Sequence, residues 1–244
     1  MRRLRAKHLS LIIALFIGPV LLGASPAHAF TSVTGCGQTL SAPGEYILAT
    51  DLRCDGTVAN GVVISANDVH FHLAGHTIAS TDCDGTKAIS GISAEGGVSG
   101  VKIDGGTVRG FNDGIALAAS SSRITGMTVT GACFFGIALS GTDNQLDNST
   151  VTLSGLDGIG IGAATRTQVR NNDISDNARV GVDISNFSNA SVIEHNIINR
   201  NGIRDGEQGG IAGKNNTSWH LAMPTRRFTA AVSVFRGTPP GKPF

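Results

Sequence analysis

The stretch that decides the fold is Gly114–Val180, which contains three consecutive copies of one pattern: GIALAASSSRITGMTVTGACFF (114–135), GIALSGTDNQLDNSTVTLSGLD (136–157) and GIGIGAATRTQVRNNDISDNARV (158–180). Each copy opens with Gly and an aliphatic residue and carries two further short apolar alternations. Alternation with a period of two is typical of strands with one buried face. A fixed period of this size therefore indicates a solenoid with three short strands per coil.

The same Gly-aliphatic opening recurs on both sides of this stretch. The openings are Gly61, Gly91, Gly114, Gly136, Gly158, Gly181 and Gly210, at successive intervals of 30, 23, 22, 22, 23 and 29 residues. The spacing predicts about seven coils of about 22 residues. The two long intervals predict insertions at Ser80–Ala88 and Asn201–Gln208, and insertions in solenoids form loops that often belong to the binding face.

Aligned on these openings, the repeats give three columns of aliphatic residues that we expect to face the interior. One column holds Val62, Ile92, Ile115, Ile137, Ile159 and Val182. The second holds Leu73, Ile103, Ile124, Leu146, Val169 and Ile193, and the third holds Ile78, Val108, Val129, Val151, Ile174 and Ile198. No window has the 3.6-residue spacing of a helix. We predict an all-β, parallel β-helix over residues 61–211.

A further aligned position, between the second and third columns, predicts a corner of the coil. It contains His76, Gly106, Met127, Ser149, Asn172 and Asn196. Asn172 is expected to stack on Asn196, and likewise Asn177 on Asn201. Asn side chains satisfy turn backbone groups and tolerate left-handed conformations, so we interpret these four residues as structural ladders.

The N-terminus predicts export. Residues 1–29 combine a basic start, an apolar run and a small-x-small end, which is the layout of a secretory signal peptide. Gly18 and Pro19 interrupt the apolar run, which is shorter than the roughly 20 residues of a membrane span. We expect the mature chain to be secreted, extracellular or periplasmic, with no membrane association after cleavage.

The charge balance of the mature chain argues against nucleic acid as a partner. Without residues 1–29 the chain has 15 basic and 18 acidic residues, a net charge of −3, with no basic run or patch. Glycine is abundant, at 33 residues, and aromatic residues are few, which suits many short strands and tight corners. We expect a monomer.

All four cysteines follow the signal peptide, in a compartment where disulfides persist. Cys36 and Cys54 flank one short predicted strand, so we favour a disulfide between them. Cys83 and Cys133 lie in different turns, and for these two the sequence leaves both a disulfide and buried free thiols open.

The two ends of the solenoid differ from its repeats. Residues 30–60 resemble an N-terminal cap with one strand at Tyr46–Leu48, and a solenoid needs caps because open ends expose unpaired strand edges. Residues 212–244 have no aliphatic columns and contain four of the seven prolines. They form either an irregular C-terminal cap or the end of a truncated or frameshifted solenoid.

These motifs resemble secreted right-handed parallel β-helix repeat proteins of the pectin lyase-like architecture, including NosD-like proteins. The residues that carry the resemblance are CGQTLSAPGEYILATDLRC (36–54), VVISANDVHFHLAGHTI (62–78) and the Gly-Ile coils with Asn-Asn and His-Asn corners. The resemblance covers roughly Cys36–Ile211 and implies the right-handed fold. It implies no single activity, because this architecture includes lyases, hydrolases, epimerases and non-catalytic surface proteins.

Three residues are candidates for catalysis. Asp113 and Asp157 precede Gly-Ile openings two coils apart, which predicts a separation of roughly 9–10 Å, near the upper limit for an inverting glycosidase. Asp-Gly is also a common turn pair. Arg170 lies in an outward column between Asp147 and Glu194, where it is either a free cation or one member of an exposed charge ladder.

Metal sites have two candidate locations. His70 and His72 share one strand face and could supply two ligands for copper or zinc, although the aligned columns offer no third. Acidic residues of the insertions, with neighbouring Lys and Arg, could contribute to a calcium site. These residues are Asp82, Asp84, Lys87, Arg204, Asp205 and Glu207.

Two functions of different class fit the sequence. The chain either binds or processes an extracellular polysaccharide along an outward groove, or it is a non-catalytic cell-envelope or extracellular solenoid used for attachment or structure. A processing enzyme requires a cleft with three or more convergent carboxylate, Arg or Lys groups. No familiar constellation of the architecture is complete, so whether the chain is an enzyme stays open.

Overall fold

The structure is a computed structural model that describes residues 29–55, 60–81, 90–185, 187–202, 209–213 and 219–222. Nearly all of the predicted signal peptide and most of both predicted insertions lie outside these residues, as do Cys83 and the six candidate calcium-site residues. Within the described ranges the regular structure consists of β-strands. The same ranges contain no helix that is long and apolar enough to cross a membrane.

The described residues form 24 strands. In chain order these are β1 (Thr31–Val33), β2 (Gln38–Leu40), β3 (Gly44–Leu48), β4 (Leu52–Cys54), β5 (Asn60–Ile64), β6 (Val69–His72), β7 (Thr77–Ser80), β8 (Ser90–Ser99), β9 (Lys102–Asp104), β10 (Thr107–Arg109), β11 (Asp113–Ser120), β12 (Arg123–Thr125), β13 (Thr128–Thr130), β14 (Ile137–Thr142), β15 (Gln145–Asp147), β16 (Thr150–Thr152), β17 (Ile159–Thr165), β18 (Gln168–Arg170), β19 (Asp173–Ser175), β20 (Val182–Ile184), β21 (Ser191–Glu194), β22 (Ile197–Asn199), β23 (Ile211–Gly213) and β24 (Trp219–Ala222).

The strands form three parallel sheets that run along the length of a solenoid. Sheet I has the order β1-β3-β6-β9-β12-β15-β18-β21-β24, sheet II the order β2-β5-β8-β11-β14-β17-β20-β23, and sheet III the order β4-β7-β10-β13-β16-β19-β22. Each coil contributes one strand to each sheet and pairs with the coils before and after it. This confirms the predicted parallel β-helix.

The strand register confirms the first and third aliphatic columns. In sheet II, Ile115 pairs with Ile137 and Ile137 pairs with Ile159, which gives coils of 22 residues. In sheet III, Val108, Val129 and Val151 pair in succession. All six of these side chains are completely buried, so the columns form the core.

The prediction that Leu73 begins the second aliphatic column is wrong. Ile103 pairs with Phe71, not with Leu73. Four residues, 73–76, separate β6 from β7, whereas two residues separate β9 from β10 in the next coil. Within this longer corner, Ala74 and Gly75 both adopt positive φ, at 51° and 84°. Leu73 is buried as well, which is why the alternation alone could not separate the two registers.

Residues 31–54 form a coil of the solenoid. The segment predicted as a cap with one strand contributes β2, β3 and β4 to the three sheets, and β1 adds a further strand to sheet I. The disulfide Cys36–Cys54 is present in this coil, as the sequence favours. Cys133 is also disulfide-bonded, which excludes a free thiol there. At the other end, β24 pairs with β21 and extends sheet I beyond residue 211.

Asparagine ladders stabilise the corners as predicted. Asn172 donates through Nδ2 to Asn196 Oδ1 at 3.0 Å, and Asn177 donates to Asn201 Oδ1 at 2.9 Å. Asn172 also donates to the Leu146 carbonyl and accepts from the Ser149 amide. Each Asn side chain therefore satisfies backbone groups of neighbouring coils.

The Gly-aliphatic opening has a steric origin. A Cβ at Gly114 would lie 2.3 Å from Cγ1 of Val129 and 2.5 Å from the Gly136 carbonyl oxygen. Gly136 meets the equivalent Val151 and Gly158 at 2.4 and 2.6 Å. Sheet II begins so close to sheet III that only a residue without a side chain fits at this position.

We expect Gly114→Ala to destabilise the chain by about 2–4 kcal/mol, because overpacking against backbone cannot be relieved by side-chain rotation. Urea denaturation followed by circular dichroism measures the change. Gly96→Ala, in the same sheet, is the control, since a Cβ there meets no atom within 4 Å. Equal stability of the two variants would contradict the steric explanation.

We expect Asn172→Ala to lower the free energy of unfolding by about 2–3 kcal/mol, because it leaves buried backbone groups without partners. Asn199→Ala, in strand β22, is the matched control and should change stability by less than about 0.5 kcal/mol. Chemical denaturation of both variants tests the ladder. A loss at Asn199 as large as that at Asn172 would refute it.

Candidate functional site

The outward face of sheet I brings four ionisable side chains together on three adjacent strands. Glu45 of β3 pairs in register with His70 of β6, and His72 of β6 pairs in register with Asp104 of β9. His70 and His72 point to the same side because they are two residues apart on one strand. We call Glu45, His70, His72 and Asp104 the His-acid cluster.

The two imidazole rings of the cluster lie between the two carboxylates. Glu45 Oε2 lies 3.1 Å from His70 Nδ1 and 2.7 Å from His72 Nε2. On the other side, Asp104 Oδ2 lies 2.5 Å from His70 Nε2, and Asp104 Oδ1 lies 3.1 Å from His72 Nδ1. The ring centroids are 3.7 Å apart. The four side chains are 25–30% exposed, so the cluster is accessible from solvent.

The electrostatics of the cluster favour the charged form of Glu45. The hydrogen bond with His72 lowers the pKa of Glu45. Burial opposes protonation of His72, but its hydrogen bonds with Glu45 and Asp104 and their negative charge outweigh burial and raise the pKa of His72. The site therefore attracts positive charge, whether that charge is a proton or a metal ion.

Sequence reasoning found the two histidines but missed both carboxylates. The predicted column that aligns Ile103 with Leu73 places the next residue, Asp104, beside Ala74, whereas in the structure Asp104 pairs with His72. Glu45 was assigned to a cap, outside the aligned coils. The alternation in Gly44–Leu48, where Tyr46 and Leu48 are buried, is the signal that could have placed Glu45 on an outward strand face.

A groove lies on the outward face of sheet II, with a volume of about 260 Å³. Its floor consists of the small side chains of four adjacent strands, β11, β14, β17 and β20. The lining residues include Ala116, Ala118, Ala138, Ser140, Gly160, Gly162, Asp183 and Ser185. Three interstrand spacings give the groove a length of about 14 Å along the solenoid axis.

Phe135 forms one wall of this groove. Its half-buried ring packs on Gly160, where a Cβ would come within 3.0 Å of ring carbon Cδ1. The first predicted insertion precedes β8 and the second precedes β23, and both strands belong to sheet II. The groove therefore lies on the sheet whose strands β8 and β23 directly follow the two predicted insertions in the sequence.

Asp113 and Asp157 occupy equivalent positions and bind backbone. Asp113 accepts a hydrogen bond from the Phe135 amide at 3.2 Å, and Asp157 accepts one from the Val180 amide at 3.1 Å. Asp157 is completely buried, and Arg179 Nε lies 3.6 Å from its Oδ1. Burial raises the pKa of both carboxyls. Their assignment to catalysis stays a prediction, and the contacts give them a role in joining coils.

Arg170 belongs to a charge ladder. Its Nε lies 2.6 Å from Glu194 Oε1, one coil further along sheet I. In the preceding coils Arg123 donates two hydrogen bonds to Asp147, at 2.8 and 3.0 Å. Arg170 is therefore paired with Glu194, as expected for one member of an exposed charge ladder and not for a free cation.

Comparison with known families agrees with this architecture. Residues 90–221 match the family described as right handed beta helix region. The chain belongs to this family. No curated protein matches the sequence.

Solved structures share the β-helix fold at low sequence identity. The alginate lyase from Paenibacillus sp. str. FPU-7 has a TM-score of 0.55 and 15% identity, with 76% of this chain and 75% of the lyase covered. The enzymatically active domain of tailspike protein 2 from bacteriophage CBA120 has a TM-score of 0.57 and 14% identity, with 80% and 38% covered. The Agl-KA catalytic domain gives 0.55 and 14%, with 80% and 41% covered. This chain thus spans about two fifths of the last two proteins.

In this β-helix the two outward features differ in chemistry. The groove lining on sheet II contains one ionisable side chain, Asp183, among the residues that the structure describes. The His-acid cluster on sheet I contains four. The described lining residues thus do not supply the three convergent charged groups expected of a processing cleft, whereas the row of small residues and the ring of Phe135 suit binding.

Asp157→Asn should change the pH dependence of stability. The pKa of Asp157 is raised on folding, so its carboxyl contributes most favourably below the unfolded pKa of about 3.9, and this contribution is lost as pH rises through the folded pKa. We therefore expect the melting temperature of the variant, relative to wild type, to increase between about pH 4 and pH 7.

Asp143→Asn is the control with the opposite sign. The hydrogen bond with Arg166 lowers the pKa of Asp143, so its contribution is present above the unfolded pKa and lost as pH falls. Its variant should become relatively less stable toward neutral pH. Parallel pH profiles for the two variants, measured by thermal denaturation, would contradict the assignment.

Proposed function

We propose that the chain is a secreted β-helix protein that binds an extracellular polysaccharide in the groove of sheet II. The observation that carries the proposal is the groove itself. A row of Ala, Ser and Gly residues, with Asp183 on the fourth strand, forms a floor across four strands, and Phe135 forms its wall. A long, open and shallow site of this kind suits a linear polymer better than a compact small molecule.

The chemistry of the lining suits a sugar polymer. Ser140 and Ser185 supply hydroxyl groups that can bond to sugar hydroxyls, and the half-buried ring of Phe135 supplies apolar surface for a sugar face. Among the residues that the structure describes, Asp183 is the ionisable member of this lining.

The structural neighbours support a polysaccharide partner in general terms. One of them is by its name an alginate lyase, and two others are named as an enzymatically active domain and a catalytic domain. Processing by this chain would need charged groups beyond those that line the groove. Binding without cleavage is therefore the function that the geometry supports best.

We expect Phe135→Ala to weaken binding of the polysaccharide that wild type binds most tightly at least about tenfold, because it removes the aromatic wall. Gly162→Leu should weaken it similarly by filling the floor, since a Cβ at Gly162 meets only Ser185 Oγ, at 3.2 Å. Affinity electrophoresis on panels of neutral glucans, xylans and mannans, with pectate and alginate alongside, measures the effect.

Phe134→Ala and Gly96→Leu are the matched controls, because each makes the same change at a residue outside the groove lining. Thermal denaturation verifies that all four variants fold. Absence of retardation on every polymer would overturn the proposal and favour the attachment or structural alternative.

A further inference from the structure

The His-acid cluster contains more close nitrogen–oxygen contacts than two neutral imidazoles have N–H donors for. All four ring nitrogens of His70 and His72 lie within 3.1 Å of a carboxylate oxygen. A neutral imidazole has one N–H donor and one nitrogen lone pair. With both rings neutral, two of the four contacts place a nitrogen lone pair against a carboxylate oxygen.

A second proton on each ring would satisfy all four contacts but creates another conflict. The two imidazolium rings would then lie face to face at a centroid distance of 3.7 Å, where like charges disfavour each other. A metal ion resolves both conflicts, because it accepts lone pairs from imidazole nitrogen and carboxylate oxygen alike.

The geometry divides the four contacts into two sets. Glu45 Oε2, His70 Nδ1 and His72 Nε2 converge on one side of the rings. On the other side, His70 Nε2 meets one oxygen of Asp104, and His72 Nδ1 meets the other. One tautomer of each ring thus gives a lone pair toward Glu45 and an N–H donor toward Asp104, with a separate acceptor oxygen for each donor.

We propose that Glu45, His70 and His72 bind a divalent first-row transition-metal ion such as zinc, and that Asp104 orients the two imidazoles. The nitrogen and oxygen donors of the three residues lie within 4.8 Å of one another. Tetrahedral zinc with ligands at about 2.0–2.2 Å places donors about 3.3 Å apart, so the observed 2.7 and 3.1 Å contacts need only small side-chain rotations.

The proposed site has three protein ligands and one carboxylate in hydrogen-bond contact with both imidazoles. Imidazole and carboxylate donors suit zinc and copper, whereas calcium requires six to eight oxygen ligands. Three ligands leave a tetrahedral position for water or a bound molecule, and the partial exposure of the cluster makes that position accessible. This site is on a different sheet from the groove and does not depend on the proposed polysaccharide binding.

Isothermal titration calorimetry of the chelator-treated chain with Zn²⁺ tests the proposal. We expect one saturable site, a zinc-dependent rise in melting temperature, and no saturable binding of Ca²⁺. Cu²⁺ used as a spectroscopic probe should give an electron paramagnetic resonance spectrum with hyperfine coupling to two nitrogens. His72→Ala should abolish the site, and Glu45→Gln, which keeps the side-chain shape, should weaken it.

Asp104→Asn should lower zinc affinity about 10–100-fold while leaving the two-nitrogen copper signal in place, as expected for a residue that acts through the ligands. His76→Ala is the matched control, because His76 pairs with Asp51 outside the cluster. Thermal denaturation verifies folding of each variant. Absence of zinc binding in wild type, or equal affinity in the His72 and His76 variants, would overturn the proposal.

Discussion

The structure depends on hydrogen bonding between successive coils. Parallel strands of neighbouring coils lie about 4.8 Å apart, so every strand residue has a fixed neighbour above and below it. A coil can be lengthened only where the pairing is interrupted. The extra residue of the 23-residue coil after Gly158 is accommodated in this way, because the register between β14 and β17 shifts after Leu139. The same constraint excludes a side chain at Gly114 and its equivalents.

At the corners, side chains also join each coil to the next by hydrogen bonds. The Met127 amide donates to Ser149 Oγ, the Ser149 amide donates to Asn172 Oδ1, and the Asn172 amide donates to Asn196 Oδ1. Each corner side chain therefore satisfies the backbone of the coil before it. Ser can replace Asn in this series because one acceptor oxygen at the right height is enough. The corner keeps its shape while its residue type changes, and the sheets on both sides stay in register.

Because of this repeat, the sequence predicts the core far better than the outward face. The columns through Ile115 and Val129 follow from spacing alone, since only aliphatic side chains fit inside. Outward positions have no comparable restriction, so their neighbours are known only when the register is known. A two-residue error at Leu73, where both candidate residues are buried, was enough to separate His72 from Asp104. The sequence did not place Glu45 for a related reason, because the first coil precedes the Gly-aliphatic openings on which the repeats were aligned.

The His-acid cluster and the groove of sheet II are formed by different coils of the solenoid. The His-acid cluster uses β3, β6 and β9, which belong to the first three complete coils, whereas the groove uses β11, β14, β17 and β20 of the following four coils. No coil contributes to both. In a solenoid each repeat contacts only its neighbours, so a change at one feature reaches the other only through the strand pairs that join the third coil to the fourth. A metal at the cluster would therefore stabilise the N-terminal coils, and binding in the groove would depend on the central coils, with little coupling between the two sites.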